Sequence, residues 1–413
     1  MKRRISVVLF FLVLVFGCKQ QTPKDDLNHW KSNPQQVITF EEATAEIALK
    51  IELVKKFLME EKKDGLLLTQ VRNVNWITAG LVNNQIVLNK DVGAASLLIM
   101  KDGRKFLLCN GSEAGRMMDE NLGKLGYTLV QYSWYEANPI KDARGTLIKS
   151  LAQGGTVVSD VNFPGTELVS EKFKTLRYSL TDTEIERYRW LGKQATEAVV
   201  DVCNSIAPGM DEYEIEAMTA NALRSRGILP TVLLTAVDER IFKYRHALPG
   251  GAKLQKYAMI NIVAEKWGMP IAVTRFVHFG PLPEELKNKF EKTAKVMTKY
   301  QLATVPGQSC AEIFEQCKTW YAEAGYPNEW QLHHQGGAIG YDDREYVIYP
   351  GIKEVVREKQ AFAWNPTITG AKVEDTFIAY KDHFEVVTKT DGWPMIKVEV
   401  NGKTYEQPGV LIR

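Results

Sequence analysis

The stretch Ala207-Pro208-Gly209-Met210-Asp211-Glu212-Tyr213-Glu214-Ile215 has a counterpart 98 residues later, Val305-Pro306-Gly307-Gln308-Ser309-Cys310-Ala311-Glu312-Ile313. The copies share a Pro-Gly turn, a Glu-Ile pair and a later glycine, Gly227 or Gly325. Helical periodicity over 184–205 and 283–303 precedes the two copies, and an apolar stretch follows each. Chance similarity between amphipathic helices is the alternative, but it does not require shared turns and ends. The repeat predicts two halves of helix, turn, helix and strand, related by a pseudo-twofold axis.

Upstream of the repeat, strand and helix patterns alternate. Helices are predicted over 40–61, 113–125, 140–152 and 166–174, and strands over 65–71, 95–100, 105–109, 127–132 and 156–160. Asp102-Gly103 marks a tight hairpin between two of these strands. The alternation predicts an α/β domain over 38–178. Thr181 and Glu184 have the spacing of a capping box, so a second domain is predicted over 179–413.

The first residues have the composition of an export signal. A basic start is followed by an apolar run, Ile5–Phe16, which is too short to span a bilayer as a helix. Gly17-Cys18 then resembles a bacterial lipoprotein box, which implies a signal peptide over 1–17, acylation of Cys18 and a polar tether over 18–37. A plain secretory signal with an incidental cysteine is the alternative. The expected location is the bacterial cell envelope, periplasmic or surface-exposed, with the membrane reached through the lipid alone.

Composition restricts the class of protein further. The chain has 413 residues, of which 45% are hydrophobic and 25% charged, as in soluble globular proteins. Its formal net charge is only +2, and three positive charges lie in the signal segment, so nucleic acid is not an expected partner. The spacing of the cysteines after Cys18 is not typical of a zinc site, and buried free thiols are expected.

Five short motifs in the second unit, in the right order, resemble the pita-bread family of methionine aminopeptidase, aminopeptidase P, prolidase and creatinase. In chain order they are His246-Ala247-Leu248-Pro249, the segment 261–275, the segment 333–341, the segment 362–366, and Val373-Glu374-Asp375. The resemblance implies an α+β pseudo-twofold pita-bread domain behind an α/β domain similar to that of creatinase and prolidase. It also implies a homodimer.

In that family five carboxylate and histidine ligands hold two metal ions that activate water. The corresponding positions are Asn261, Ala272, Gly337, Asn365 and Glu374, of which only Glu374 can be a ligand of that kind. The resemblance therefore implies that the dinuclear metal site is lost and that no cofactor is required. A single ion held by some of His246, His333, Glu345 and Glu374 and a functional Xaa-Pro metallopeptidase are the alternatives.

The residues retained at family positions suggest a creatinase-like, metal-independent hydrolysis of a C–N bond. Four are expected to be catalytic: His246, His333, Glu345 and Glu374. For Glu345 the alternative is a plain salt bridge with Arg344 or Arg275. Four are expected to bind a small carboxylated compound or short peptide: Arg245, Arg275, His334 and Arg344. The alternative is a non-catalytic protein that binds a peptide or metabolite.

Four more detailed expectations concern individual side chains. Glu374 or Glu345 would raise the pKa of His246 if it lies within hydrogen-bond reach of the ring. If His333 and His334 lie on a strand, only one of them enters the pocket. His278 is expected to satisfy a backbone group in the core, and Glu374 needs an arginine or lysine partner because its metals are gone.

Overall fold

The computed structural model describes residues 37–138, 140 and 142–413. The predicted signal peptide, Cys18 and the tether up to residue 36 lie outside these residues, so those predictions remain untested. Among the helices of the described part, none has the length and apolar composition that crossing a membrane requires.

The first unit is built around a six-stranded mixed sheet. Its elements are α1 (Phe40–Glu60), β1 (Gly65–Gln70), α2 (Val71–Ile77), β2 (Val92–Met100), β3 (Lys105–Asn110), α3 (Gly111–Met117), β4 (Thr128–Tyr132), α4 (Ala143–Ala152), β5 (Val157–Ser159) and β6 (Glu167–Leu168). The strand order is β4-β3-β2-β1-β5-β6. β2 and β3 pair antiparallel across the turn that contains Asp102 and Gly103, as the sequence predicts. The α/β class of this unit is confirmed.

The predicted helix over 166–174 is wrong. Pro164 and Gly165 make a turn there, with Gly165 at a φ of 79°, and the chain leaves it as β6. Val158 and Ser159 of β5 pair in parallel with β6. A 3₁₀ helix, Glu171–Arg177, follows. Pairing with the sheet edge therefore outweighs the weak helical pattern of this segment.

The second unit contains two larger sheets and five helices. Its elements are α5 (Asp182–Ser205), α6 (Glu212–Arg224), β7 (Leu229–Val237), α7 (Glu239–Lys243), β8 (Tyr257–Lys266), β9 (Met269–His278), α8 (Glu284–Ala303), α9 (Cys310–Glu323), β10 (Gly336–Ile339), β11 (Tyr346–Val347), β12 (Gln360–Trp364), β13 (Thr367–Ile368), β14 (Ala371–Lys372), β15 (Asp375–Ala379), β16 (Phe384–Val386), β17 (Met395–Val400), β18 (Lys403–Pro408) and β19 (Val410–Ile412). The sheet orders are β19-β9-β8-β7 and β11-β10-β12-β15-β16. The predicted capping box of Thr181 and Glu184 starts α5.

The two halves of the repeat make the same backbone contacts. Gly209 N–H donates to the carbonyl of Leu254 at 2.8 Å, and Gly307 N–H donates to that of Val356 at 2.9 Å. Both glycines have a φ above 90°, which other residues adopt only with strain. Leu254 and Val356 return a bond to the residue after each glycine, at 2.8 and 3.0 Å. The sequence repeat is therefore a structural repeat.

A buried charge network joins the two units. Lys50 Nζ on α1 lies 2.6 Å from Glu46 and 2.6 Å from Glu184 on α5. Arg187, also on α5, lies 2.7 Å from Glu46. Tyr341 donates to Glu184 at 2.6 Å. Because these groups are almost entirely buried, separating the units would leave charges without partners in an apolar surface.

Candidate active site

A cavity of about 420 Å³ opens where the motif residues meet. Apolar side chains from β7 and β8 form one wall, and polar side chains from the β10, β12 and β14 region form the other. The lining residues are Val232, Leu234, His246, Leu248, Asn261, Val263, His334, Asp343, Arg344, Asn365, Lys372 and Glu374. A groove of about 720 Å³ between α8 and β17 is larger, but none of the predicted site residues lines it. The chemistry is therefore placed in the smaller cavity.

Glu374 is held by three donors at the floor of this cavity. Its Oε2 accepts from Thr274 Oγ1 at 2.6 Å and from Asn261 Nδ2 at 2.7 Å. Lys372 Nζ lies 2.9 Å from the same oxygen and donates to Asn261 Oδ1 at 3.2 Å. Burial alone would raise the pKa of Glu374, but Lys372 and Arg344 outweigh it and hold the pKa below its ordinary value.

Lys372 supplies the cation that Glu374 was expected to need, and it was missed as a site residue. The signal was available, because residues two apart in an extended chain share a face. Lys372 is the last residue of β14, two positions before Glu374. It is only 5% exposed, so its ammonium belongs to the site and not to the surface.

The other family ligand positions carry no charged donor. Ala272 lies on β9 opposite Val263. At Gly337 on β10, an added Cβ would lie 2.1 Å from the carbonyl oxygen of Tyr346, so no side chain fits. Asn365 is 2% exposed, and its Oδ1 is buried with no hydrogen-bond partner among the described residues.

His246, His333 and His334 come together. His246 Nε2 and His333 Nε2 are 2.9 Å apart, and one of the rings donates to the other. The rings of His333 and His334 stack with centroids 4.4 Å apart. The strand on which the expectation of a single inward-facing neighbour depended is absent, because both residues precede β10. His334 is nevertheless the one that lines the cavity, and His333 lies beside it in contact with His246.

The pKa of His246 is lowered and not raised, although Glu374 acts on it in the expected direction. Burial and the nearby Lys372 lower it, and the opposing effect of Glu374 is smaller. Burial lowers the pKa of His333 to about 2 and that of His334 to about 4, with positive neighbours adding to the effect. All three imidazoles are therefore neutral at pH 7, a state that can accept a proton or bind a metal ion.

The predicted arginines differ in their partners. Arg275 is 2% exposed and pairs with Asp375 at 3.0 Å and with the carbonyl of Thr388. Arg245 pairs with Glu329 and donates to Thr369. Neither lines the cavity, so their expected contact with a substrate carboxylate finds no support in the geometry.

Arg344 lines the cavity and has few partners of its own. It donates to the carbonyl of Asp343 at 2.7 Å and lies 3.9 Å from Glu374. Its Nε is buried with no hydrogen-bond partner in the described part of the chain. A buried guanidinium donor of this kind matches the acceptor atoms of a carboxylate.

Glu345 lies outside the cavity lining. Its carboxylate accepts from Arg177 Nε at 2.8 Å and Nη2 at 2.7 Å, and from the N–H of Tyr341. Both members of the Glu345–Arg177 pair are buried. The expected catalytic role of Glu345 is therefore corrected to a structural one, because a carboxylate held in this way has no free position for a substrate.

The structure agrees with the expectations for His278 and for the cysteines. His278 is 5% exposed, and its Nδ1 lies 2.9 Å from the carbonyl of Gly280. Four cysteines of the described residues are buried free thiols: Cys109, Cys203, Cys310 and Cys317.

Comparison with known proteins identifies the architecture. Residues 186–382 match metallopeptidase family M24. No curated protein matches the chain in sequence. Among solved structures, the Xaa-Pro dipeptidase from Bacillus anthracis has 20% identity and a TM-score of 0.68, covering 89% of this chain and 100% of its own.

Two further solved structures are similar over both units. Dipeptidase PepE from Mycobacterium ulcerans has 15% identity and a TM-score of 0.70, with 90% of this chain and 99% of its own covered. The prolidase from Pyrococcus horikoshii OT3 has 18% identity and a TM-score of 0.68, with 83% and 98% covered. At identities of 15–20%, these similarities support the fold and not a shared function. The chain thus has the pita-bread fold of these structures, with an N-terminal α/β domain and a C-terminal α+β domain.

Proposed function

We propose that this chain binds a small carboxylated compound or short peptide in the cavity and hydrolyses a C–N bond of it without the dinuclear metal centre of the family. The observation that carries the proposal is the buried Nε of Arg344 on the cavity wall, which has no hydrogen-bond partner in the part of the chain that the structure describes. Leaving such a donor unpaired costs about 1 to 3 kcal/mol, which a bound acceptor recovers.

The donor set does not fit two divalent ions. Ala272 has no ligand atom, and Gly337 has no room for a side chain. Glu374 is already neutralised by Lys372 at 2.9 Å. Two dications need several carboxylates, whereas these positions supply one carboxylate and an ammonium beside it. No step of the proposed reaction therefore passes through a metal pair.

The cavity also offers an acceptor that complements Arg344. Asn365 Oδ1 is buried without a partner among the residues described. Its carboxamide and the Arg344 guanidinium both line the cavity. A ligand with a carboxylate for Arg344 and an N–H for Asn365 would satisfy both groups. Amino acids, dipeptides and N-carbamoyl or guanidino acids have this chemistry.

His246 is the residue suited to proton transfer. It lines the cavity and is neutral at pH 7, because burial and Lys372 lower its pKa. As a general base it would take a proton from the attacking water while the oxygen bonds to the carbonyl carbon. It would then return that proton to the leaving nitrogen as the C–N bond breaks. Lys372 and Arg344 would stabilise the negative oxygen of the intermediate.

Binding without turnover is the second candidate. The specific observation in its favour is that Glu345, which was expected to assist His246, is engaged by Arg177. In either case export, acylation of Cys18, location in the cell envelope and a homodimer remain part of the proposal. Mass spectrometry of lipid-modified peptides and sedimentation of the exported chain test them.

Ligand binding to the Arg344 variant tests the proposal. A panel of dipeptides, including Xaa-Pro dipeptides, is titrated by calorimetry as free acids and as C-terminal amides. The free acids should bind, and Arg344→Gln should weaken them at least about tenfold, because a charge-assisted bidentate pair is lost. Arg189→Gln, at an exposed ion pair with Glu385, is the matched control. Equal binding of acids and amides, or an unaffected Arg344→Gln, would contradict the proposal.

A further inference from the structure

The three histidines at the cavity form a separate candidate site. Ring nitrogens of His246, His333 and His334, one from each, all lie within 4.8 Å of one another. We propose that these three imidazoles bind one zinc ion, at a position different from the dinuclear centre of the family. The inference stands on this geometry and does not rest on the proposed hydrolysis.

The spacing of the nitrogens is close to that of zinc ligands. Zinc binds imidazole nitrogen at about 2.0 to 2.1 Å in a tetrahedral arrangement, which places two ligand nitrogens about 3.3 Å apart. His246 Nε2 and His333 Nε2 are already 2.9 Å apart. Small rotations of the three rings would therefore close the triad around an ion.

The local structure allows those rotations. His333 and His334 precede β10 and belong to no strand or helix. His333 Nδ1 has no hydrogen-bond partner within the described residues, so no second bond fixes the plane of that ring. His246 and His334 are exposed at the cavity, which gives an ion a path from solvent.

A shared proton explains only part of the arrangement. A hydrogen bond between the Nε2 atoms of His246 and His333 accounts for their 2.9 Å separation. It does not account for the third imidazole, His334, whose ring centroid lies 5.8 Å from that of His246. Three imidazoles with no carboxylate favour zinc over magnesium or calcium, which prefer oxygen ligands.

The three-histidine site differs from the single-ion site that the sequence analysis considered. That ion would have used Glu345 or Glu374, but Arg177 and Lys372 engage these carboxylates. The three histidines leave one coordination position for water or a ligand atom. Zinc on His246 would also occupy the lone pair that proton transfer requires, so zinc and a proton compete for this residue.

Zinc titration of the untagged chain tests the inference. The protein is dialysed against a chelator and titrated with zinc in the presence of a chromophoric competitor. The expected stoichiometry is one zinc per chain. His246→Ala and His334→Ala should each weaken binding at least about tenfold, as perturbation of a zinc site does. His383→Ala, at an exposed histidine beside Asp382, should bind zinc like the parent.

Two additional measurements make the result decisive. His333 is buried, so the conclusion relies on the exposed His246 and His334 variants, with circular dichroism to confirm that each is folded. Cobalt in place of zinc should give the visible absorption of a tetrahedral site. Absence of binding, or binding that both variants retain, would overturn the inference. Peptide binding measured in zinc-free buffer reports on the proposed function separately.

Discussion

Lys372 Nζ lies 2.9 Å from Glu374 Oε2 at the floor of the cavity. Both side chains are nearly inaccessible, with exposures of 5% and 2%. The pair is therefore a buried ion pair with a shared amide neighbour, Asn261. Such a pair is costly to break on one side only.

Removing the ammonium should destabilise the fold. Lys372→Met leaves Glu374 charged and buried without its closest cation, and we expect a loss of about 3 kcal/mol in the free energy of unfolding. Urea denaturation at pH 7 measures it. The double variant Lys372→Met with Glu374→Gln should recover part of the loss, because no uncompensated charge remains. A double variant less stable than Lys372→Met would contradict the interaction.

Substitution of Arg275 and of Arg344 should affect different properties. Arg275→Met breaks the buried ion pair with Asp375, so we expect a loss of about 3 kcal/mol in the free energy of unfolding. Because Arg275 does not line the cavity, this variant should lose no direct contact with a ligand. Arg344→Met removes a guanidinium that lines the cavity, which Arg275 does not. It should cost less stability than Arg275→Met, because its charged partner Glu374 is 3.9 Å away. It should weaken the binding of carboxylated ligands at least about tenfold. Thermal denaturation and calorimetry on both variants separate these outcomes.

Glu265 should make stability depend on pH. Burial, reinforced by Asp343, Asp91 and Asp342, raises its pKa to about 7. Because its folded pKa lies above the unfolded value of about 4.3, its unfavourable effect is absent below pH 4 and complete above pH 7. Glu265→Gln should therefore gain more stability at pH 8.5 than at pH 5, as measured by urea denaturation. An equal change at both values, or the same change in the exposed control Glu358→Gln, would show that this carboxyl is not the cause.

Loss of His246 should affect turnover, whereas loss of His278 should affect stability. His246→Ala should abolish turnover of a true substrate and preserve the fold, because a general base is typically worth a factor of 10² to 10⁴. His278→Ala should instead lower stability, because its ring lies 2.9 Å from the carbonyl of Gly280 in a buried setting. Single-turnover kinetics and thermal denaturation check the two. Unchanged turnover in His246→Ala would favour the binding function.

The fold was largely predictable because its signals are local. The repeated Pro-Gly turns require glycine at a positive φ, and Gly209 and Gly307 adopt it. The capping box of Thr181 fixes the start of α5. The helix over 166–174 failed because pairing of β6 with β5 is a long-range interaction that periodicity does not contain.

The sequence predicted several residues of the cavity, but it did not predict which buried charges pair with each other. Motif positions brought His246, Asn261 and Glu374 to one cavity. The partners of buried charges depend on packing between distant segments, so the pairing of Glu345 with Arg177, 168 residues away, left no mark in the sequence. The joint approach of His333 and His334 depends on the loop before β10, whose backbone path the alternation rule does not describe.

Metal stoichiometry in the untagged protein tests the central claim most directly, that Lys372 and the altered ligand positions replace the dinuclear centre. Equilibrium dialysis with zinc, manganese or cobalt is followed by elemental analysis of parent, His334→Ala and Glu374→Gln proteins. The account predicts no more than one bound ion per chain, lost in His334→Ala and retained in Glu374→Gln. Two ions per chain that persist in His334→Ala and disappear in Glu374→Gln would contradict it.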